Sequence, residues 1–485
     1  MQHPLALAAP FVTSLTDRVF AVHTLPEEII AARFARYSRT ALGFREELVQ
    51  SIVAGDLNPA DYPAAVAFTT DKARAFHEKY ILGYGHGSCA EHATVHVALE
   101  GISILAAKAI EDCRIGTAFT EKSTRYVSFT RDTHIDLFTL GVPEELLNDA
   151  TKAVEGLLLA YTAAVEALTT QAAEAFPGAT TTARNGWVFD RARALLPCSI
   201  PTSLGMTLNG RSAAAMIRKL KAHPLPEVRD LAVELEDAVA HVLPTLVRHA
   251  QVEPGRESRR QRVLAASDGC AETGGLAGPV PAVSVVWSPA PDAWGAVLAE
   301  AIVQDADAAG QPDRGQPDNY GVLLDAYLGT RGSHEPVGRA LEAITGDVYC
   351  TMNFAAWRDV QRHRMTSAAP VRLHPRSALQ VSADIPNPDA WQAARWAASD
   401  VGAYLLAAGL PDVAQYVLPM GTMVHCRLRA NLRALFQFIE LRSRPEGHDD
   451  YRVVAQVLGD RIAQADPLLA SYLRVNRDAR ALARK

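Results

Sequence analysis

Two stretches of the chain follow one pattern: GYGHGSCAEHATVHVALEGISILAAKAIEDCR at residues 83–114 and GTRGSHEPVGRALEAITGDVYCTMNFAAWRDVQRHR at residues 329–364. Each opens with glycine and histidine beside small or acidic residues, continues into an apolar run and ends in a basic residue, Arg114 or Arg364. A second pair, residues 192–220 and 414–442, shares L-P, a threonine and then N-x-R opening a helical pattern. Because two motifs recur in the same order at similar spacing, the sequence predicts a diverged tandem duplication.

The length and one glycine-rich segment predict the domain boundaries. The 485 residues exceed one ordinary domain. Residues 265–285, AASDGCAETGGLAGPVPAVSV, are nearly uncharged and rich in Gly, Ala and Pro, which is typical of a linker. We therefore predict a first domain at 1–265, a linker at 266–285 and a second domain at 286–485.

Hydrophobic periodicity predicts an α+β class in which helix dominates. Alternation from Thr94 to Leu99 indicates a strand, and apolar residues on one face of residues 103–113 indicate a helix. Further helices are predicted at 144–175, 211–222, 226–250, 338–346, 388–409, 431–442 and 449–464.

Composition argues against several classes of protein. The formal net charge of −6 does not favour binding to nucleic acid or to an anionic membrane. No apolar run of eighteen residues lacks a charge, and the N-terminus has no basic region before its short apolar run, so we expect a cytoplasmic protein. The six cysteines form no C-x-x-C pair, so neither a disulfide framework nor a metal site is expected.

The basic motif Arg362-His363-Arg364 is the first candidate site. Guanidinium groups bind phosphate through parallel hydrogen bonds and stay charged at any relevant pH, and histidine adds a group that titrates near neutrality. Arg372, Arg376 and Arg442 add further positive charge. The motif is compatible with a phosphate-bearing ligand, although alone it is more typical of a solvated turn.

Polar residues elsewhere form weaker candidates. His334-Glu335 lies in a glycine-rich turn, and His86 is its counterpart in the first half. Ser88 and Glu91 have the spacing of a helix N-cap with a capping box. If FTEKSTRYVSF is extended, alternation places Glu121, Ser123 and Arg125 on one face, where they suit a nucleotide as well as they suit solvent.

These residues resemble the ThyX family, the flavin-dependent thymidylate synthases, over most of the chain and twice. That family carries R-H-R, seven residues and Ser, with Glu before the Ser and Arg-Tyr after it, flanked by G-H-x-x-x-x-E-H upstream and by L-P and N-x-R downstream. The resemblance implies two fused ThyX-like domains, each an antiparallel sheet with flanking helices. The first half keeps the residues Gly85-His86, Glu91-His92, Glu121, Ser123, Arg125-Tyr126, Leu196-Pro197 and Asn209-x-Arg211. The second half keeps His334-Glu335, Arg362-His363-Arg364, Leu418-Pro419, Asn431-x-Arg433 and Arg442.

The departures from the family pattern look complementary. The first half has Asp112-Cys113-Arg114 in place of R-H-R and Leu220 at the position of the later arginine. The second half has Arg372 at the position of the serine. Since family members, about half as long, build their sites where subunits of a homotetramer meet, the resemblance implies that one half supplies R-H-R and the other Glu-Ser-Arg-Tyr. Two chains would then imitate the tetramer as a homodimer.

The resemblance also implies an activity and a role for each residue. The family uses FAD, with NADPH and methylenetetrahydrofolate as co-substrates, to convert dUMP to dTMP. By this analogy Arg364 and Arg442 are catalytic, and the uracil nucleotide is bound by Arg362, Glu121, Ser123 and Arg125. The FAD contacts would be His86, His334, His363, Asn431 and Arg433. The alternative is a divergent flavin- or nucleotide-binding protein that makes no dTMP or acts on another pyrimidine nucleotide.

A nucleic-acid binder is a third possibility that the sequence disfavours. The arginines of the C-terminal YLRVNRDARALARK alternate with apolar residues at helical spacing, and the chain is acidic overall. We expect no nucleic-acid partner and no membrane partner.

Overall fold

A computed structural model describes residues 4–25, 27–37, 39–61, 87–248, 250–252, 283–306 and 319–478, with a few isolated positions elsewhere. Its contacts divide the chain into two compact units. Unit 1 comprises residues 1–168, 195–274 and 385–419, and unit 2 comprises residues 169–194, 275–384 and 420–485. Each unit therefore contains a segment of the other half of the sequence. The predicted linker lies outside the described residues except for Ala266 and residues 283–285, so the sequence-based boundaries stay a prediction.

Unit 1 is built on a four-stranded antiparallel sheet of order β1-β2-β4-β3. Its strands are β1 (Val19–Val22), β2 (Thr94–Ser103), β3 (Thr117–Glu121) and β4 (Pro201–Asn209). Its helices are α1 (Glu27–Tyr37), α2 (Phe44–Val53), α3 (Ile104–Glu111), most of α4 (Glu144–Ala175), α6 (Gly210–Lys221), α7 (Pro226–Val242), α8 (Pro244–Val247) and α12 (Pro388–Ala407).

Unit 2 repeats this plan with a sheet of order β5-β6-β8-β7. Its strands are β5 (Val283–Ser288), β6 (Thr345–Asn353), β7 (Ser367–Ala368) and β8 (Met423–Asn431). Its helices are the end of α4, α5 (Thr181–Ala192), α9 (Trp294–Ala306), α10 (Tyr320–Leu328), α11 (Phe354–Val360), α13 (Leu432–Arg442), α14 (Asp449–Ala465) and α15 (Pro467–Ala470).

The register of the two sheets supports the predicted duplication. Thr94 of β2 pairs with Asn209 at the end of β4, and Thr345 of β6 pairs with Asn431 at the end of β8. Each asparagine then caps the following helix, accepting the N–H of Ser212 or of Ala434 at 2.8 and 2.9 Å. Side-chain caps of this kind satisfy one of the unpaired N–H groups of a first helical turn. The N-x-R motif is thus a strand-to-helix junction used twice.

Most of the predicted elements are confirmed, including the strand from Thr94 and the helices at 103–113, 144–175, 211–222, 388–409, 431–442 and 449–464. The helix predicted at 226–250 is divided into α7 and the short α8. The helix predicted at 338–346 is wrong: a short 3-10 helix, Arg339–Ala343, gives way to β6 at Thr345. The capping box predicted at Ser88 and Glu91 is also wrong, because a 3-10 helix already begins at Gly87 and Glu91 instead pairs with Arg211.

The two sheets differ in what covers them. In unit 1 the apolar side chains of Phe20, Phe34 and Phe44 pack together against the sheet, with ring centroids 5.2 Å apart for Phe34 and Phe44. Strand β1 is consequently buried along its whole length. In unit 2, β8 alternates between buried and exposed residues and presents Arg427 and Arg429 to solvent.

One described helix, α4, is apolar enough by length and composition to cross a membrane, with a mean hydropathy of 1.2. Long core helices of soluble proteins have the same character, so this composition carries no membrane assignment.

Candidate active site

The R-H-R motif lies directly after a short helix of unit 2. Helix α11 begins after Asn353, whose side chain accepts the N–H of Ala356 at 2.8 Å, and it ends at Val360. Arg362 and Arg364 follow in a turn and are exposed. The motif therefore lies in a turn at the end of a helix.

His363, between the two arginines, is largely buried and is held by Arg442. The Nε–H of Arg442 donates to Nε2 of His363 at 2.8 Å, so the ring carries its proton on Nδ1. Burial and the neighbouring guanidinium lower the pKa of His363 to about 3. The ring is therefore neutral at physiological pH.

Arg442, the last residue of α13, is fixed by three contacts. Besides His363, its Nη2 donates to the backbone carbonyl of Asp359 at 2.6 Å, and its guanidinium carbon lies 5.1 Å from the centroid of the Tyr451 ring. A guanidinium carries five N–H donors, and these contacts use two of them. Arg442 therefore keeps donors for a ligand while its position is set.

Asp359 is itself anchored by a buried arginine. Nη2 of Arg193 lies 2.9 Å from Oδ2 of Asp359, and Nε of Arg193 lies 3.4 Å from Oδ1 of Asp190. Only 4% of the Arg193 side chain is exposed. Sequence reasoning missed this residue, since it precedes Asp359 by 166 positions.

A cavity of about 400 Å³ opens beside α13. Its walls include three of the predicted residues, His334, Asn431 and Arg433, together with Arg331, Arg444 and Met365. Small-molecule sites have volumes of about 300–1,000 Å³. The structure thus brings together in one cavity three of the residues that the family resemblance assigned to FAD.

Two ion pairs organise the walls of this cavity. Arg433 donates to Glu342 at 2.7 Å and to the carbonyl of Val337 at 3.1 Å. Arg331, with a nearly buried side chain, pairs with Glu440. Side-chain hydrogen bonding to Arg433 lowers the pKa of the Glu342 carboxyl, so that carboxyl is ionised at neutral pH.

Glu342 is a site residue that sequence reasoning missed. Counting back from the paired residues Thr94 and Thr345 places Glu342 opposite Glu91 of unit 1. Glu91 makes the same ion pair, at 2.6 Å to Arg211. Glu342 is identified by the register of the strands, which aligns it with Glu91, and not by the glycine-histidine pattern.

The predicted nucleotide residues of unit 1 lie at the end of β3. Glu121 is buried, within 3.4 Å of Oγ1 of Thr202, and it ends the strand. The chain then turns, with the N–H of Tyr126 donating to the carbonyl of Ser123. The alternation expected through Arg125 therefore stops at Glu121. The N–H of Arg125 donates to Oγ of Ser123 at 3.3 Å. His86 lies outside the described residues.

Within the described ranges, no group of three or more His, Cys, Asp or Glu residues is arranged to hold a metal ion. None of the described cysteines, at positions 89, 113, 198, 350 and 426, takes part in a disulfide.

Comparison with known proteins relates the chain to a family of thymidylate synthase proteins. The family model for the thymidylate synthase complementing protein matches residues 23–245 and 337–468. A UPF0159 protein of Chlamydia pneumoniae is 28% identical over 96% of this chain and 92% of its own, and one of Thermoplasma acidophilum is 26% identical over 83% and 89%. A flavin-dependent thymidylate synthase of Geobacter sulfurreducens is 28% identical over 47% of this chain and 84% of its own. A solved UMP/dUMP methylase, PolB of Streptomyces cacaoi with bound 5-Br UMP, has a TM-score of 0.30 at 19% identity, covering 40% of this chain and 94% of its own.

Proposed function

The chain belongs to the thymidylate synthase complementing protein family, and on that premise we propose that it is a flavin-dependent thymidylate synthase. It would convert dUMP to dTMP by reductive methylation, with FAD as cofactor and with NADPH and methylenetetrahydrofolate as co-substrates. Family membership alone supports the more general assignment, a methyltransferase of nucleotide metabolism, without specifying the reaction.

One observation carries the proposal: Arg442 is held in place at the end of α13, the helix whose residues Glu440 and Leu441 line the cavity. Its two hydrogen bonds, to His363 and to the Asp359 carbonyl, fix a permanently charged donor at the end of α13. Prepositioned donors of this kind stabilise charge that develops on a reacting carbonyl. A uracil ring presents such carbonyls, so the arrangement suits activation of a pyrimidine.

The residues of the cavity suit a flavin dinucleotide. Arg331, Arg433 and Arg444 line the cavity together with Glu335, Glu342 and Glu440, and a bound pyrophosphate would share Arg433 and Arg331 with the carboxylates of Glu342 and Glu440. The oxygen of the Asn431 side chain already accepts the N–H of Ala434, so its amide N–H groups are the ones that can bind a ligand. We propose that His334, His363, Asn431 and Arg433, with His86, hold FAD, which when bound supplies the hydride.

The remaining roles follow from chemistry. Arg362 and Arg364 are exposed and cationic, so they would bind the phosphate of the nucleotide or polarise its base. Arg442 would donate to a carbonyl of the uracil, and the neutral His363 would keep that guanidinium oriented. Glu121, Ser123 and Arg125 of unit 1 are proposed to bind the phosphate and sugar.

A reconstitution assay tests the proposal. The purified full-length chain is supplied with FAD, NADPH, methylenetetrahydrofolate and dUMP, each omitted in turn, and dTMP is quantified by mass spectrometry. We expect dTMP only in the complete mixture. Arg364→Ala and Ser123→Ala should each abolish it, whereas Arg114→Ala, at the first-half position matching Arg364, should leave it unchanged. Full turnover in either of the first two variants refutes the role assigned to that residue.

A second candidate is a flavin- or nucleotide-binding protein that acts on another pyrimidine nucleotide or makes no dTMP. The observation that favours it is Arg372 at the position where the family motif has serine. Replacing dUMP by UMP in the same assay separates the two, because a methylated UMP without dTMP would support the second.

We further propose that the chain acts in the cytoplasm as a homodimer, without nucleic-acid or membrane partners. Light scattering of the purified protein tests the dimer: a mass near twice 52.3 kDa supports it, and a monomer contradicts it.

A further inference from the structure

A short piece of the first half of the sequence is part of unit 2. Residues 169–194 belong to that unit, and the backbone N–H of Gly421 donates to the carbonyl of Ala194 at 2.6 Å. The side chain of Arg193, in the 3-10 helix Arg193–Leu195, is buried in the same unit. The first half therefore contributes a buried charge to the unit that carries R-H-R.

From Arg193 a continuous set of contacts leads to the proposed catalytic arginine. Arg193 binds the carboxylate of Asp359 at 2.9 Å, and the backbone carbonyl of Asp359 accepts from Arg442 at 2.6 Å. Arg442 then donates to His363 at 2.8 Å. Asp359 lies on α11, so its ion pair with Arg193 fixes this helix. The helix in turn positions the two groups that contact Arg442, which are the backbone carbonyl of Asp359 and the ring of His363.

The duplication supplies an internal comparison for these four residues. Aligning the capping asparagines 209 and 431 places Leu220 opposite Arg442 and Gln415 opposite Arg193. Aligning the starts of α3 and α11 places Ala109 opposite Asp359 and Cys113 opposite His363. All four positions differ, and none of the four unit 1 residues can make the contacts that link their counterparts.

Other features of the same junctions are kept in both units. The asparagine cap and the Glu–Arg ion pair occur twice, as Asn209 and Asn431 and as Glu91–Arg211 and Glu342–Arg433. A buried carboxylate that accepts the N–H of the residue capping α3 or α11 also occurs twice, as Glu227 and Asp450. The caps, the Glu–Arg ion pairs and the buried carboxylates are thus present in both units. The contacts from Arg193 to His363 are present only in unit 2, the unit that has Arg442.

We propose that Arg193 is a positioning residue for Arg442, supplied to the R-H-R unit by the first half of the sequence. It acts through Asp359: the buried ion pair fixes α11, and α11 fixes the guanidinium against His363. The assignment of a catalytic role to Arg442 rests on the proposed function, whereas the geometric effect of Arg193 on Arg442 does not.

The first test reports on geometry without any turnover. Protein labelled with ¹³Cε1-histidine is titrated by NMR, and the His363 signal is identified by its loss in His363→Gln. Arg193→Gln installs the residue found at the unit 1 position, and Arg191→Gln is the matched control, since Arg191 is buried in the same segment but pairs with Asp384. We expect Arg193→Gln, like Arg442→Leu, to change the His363 signal and to raise its titration point, and Arg191→Gln to change neither. An unchanged His363 signal in Arg193→Gln overturns the proposal.

A second variant keeps the test valid if Arg193→Gln does not fold. Arg193→Gln combined with Asp359→Ala reproduces the unit 1 pair Gln415 and Ala109 and removes the Asp359 carboxylate that the single variant would leave without its ion pair, so that only the longer contact of Asp190, at 3.4 Å, is lost. It should fold and still alter His363. A normal His363 signal in the folded double variant also overturns the proposal.

Turnover then shows the consequence for the reaction. If the wild type makes dTMP, Arg193→Gln should lower kcat by about 10²-fold with little change in KM for dUMP, since a small displacement of a catalytic group has effects of that size. Arg193→Lys should recover part of the loss. If the wild type makes no dTMP, the proposed function fails and the NMR result still decides the role of Arg193. An altered His363 signal with an unchanged kcat would contradict the positioning role.

Discussion

The two units of this protein have one plan and different chemistry. Both have a four-stranded antiparallel sheet with the same order of strands. In both, an asparagine ends the strand that comes fourth along the chain and caps the next helix. Unit 2 places Arg442 and His363 in contact beside a cavity. Unit 1 has Leu220, fully buried, and Cys113 at those positions. The difference separates residues that both units share from residues present in unit 2 alone, to which the proposed function assigns the ligand.

That separation has a physical basis. A capping asparagine satisfies an N–H that would otherwise be unpaired at a buried junction, so its loss destabilises any unit of this fold. A half-buried guanidinium against a neutral histidine contributes little to stability by itself, because its desolvation offsets its hydrogen bonds. Its presence in unit 2 alone is therefore better explained by binding or catalysis than by folding.

Among the substitutions that exchange residues between the units, replacing Arg442 with the leucine of unit 1 should have the largest effect on activity. Arg442→Leu should lower kcat for dTMP formation by about 10²–10³-fold, because it removes a prepositioned donor. The matched control, Leu220→Met in unit 1, conserves volume and should leave kcat unchanged. Rapid-quench assays with FAD saturating measure both, and an Arg442→Leu enzyme with normal kcat would remove the basis for calling unit 2 the catalytic unit.

The Glu–Arg ion pairs give a second contrast. Arg433→Ala should weaken FAD binding by about 10–100-fold, the effect of losing one charge-assisted hydrogen bond, whereas Arg211→Ala should not change it. The ion pair Glu91–Arg211 is well exposed, so its loss should change the free energy of unfolding by no more than about 1 kcal/mol. Fluorescence titration with FAD measures the affinities. Equal weakening in both variants would mean that unit 1 also holds flavin.

The free energy of unfolding should depend on pH through His363 of unit 2, whereas unit 1 has no histidine at the matching position, Cys113. The pKa of His363 in the folded chain is about 3, against about 6.5 for an unfolded histidine. Between these values the unfolded chain binds the extra proton, so this residue contributes stability that is present above pH about 6.5 and is lost as the pH falls. The loss is on the order of 1 kcal/mol per pH unit.

Urea unfolding of wild type and His363→Cys between pH of about 6.5 and about 4 measures this contribution. The variant should show a shallower fall in stability, and Cys113→Ser should keep the slope of the wild type. Parallel curves for wild type and His363→Cys would show that His363 is protonated in the folded chain.

The two capping asparagines should have the smallest and most similar effects. Asn209→Ala and Asn431→Ala should each lower the free energy of unfolding by about 1 kcal/mol, since each removes one cap. Only Asn431→Ala should also weaken FAD binding. Chemical unfolding followed by circular dichroism measures the stabilities, and a much larger loss for one cap than for the other would contradict their equivalence.

Local patterns in the sequence predicted most of this fold. Periodicity located β2 and most of the long helices, because their caps and apolar faces are continuous in sequence. The helix predicted at 338–346 failed because the apolar residues Ala340, Leu341 and Ile344 are buried in a 3-10 turn and at the start of a strand. Over so short a run, helix and strand have the same apolar content.

The site was predictable only as far as contiguous motifs reach. The N-x-R motif predicted Asn431 and Arg433, which line the cavity, whereas the roles predicted for Arg362 and Arg364 from R-H-R stay predictions. The pKa of His363 depends on burial, which no local pattern carries. Arg193 could not be found either, because its partner Asp359 is far away in the sequence and the ion pair forms only after residues 169–194 join unit 2.

The most direct test of the central claim is the visible absorption spectrum of the purified full-length chain, recorded after incubation with FAD and removal of the excess. We expect the bands of a bound oxidised flavin, retained by Arg211→Ala and diminished in Arg433→Ala. A wild-type protein that retains no flavin would contradict the claim that unit 2 carries the cofactor site of a thymidylate synthase.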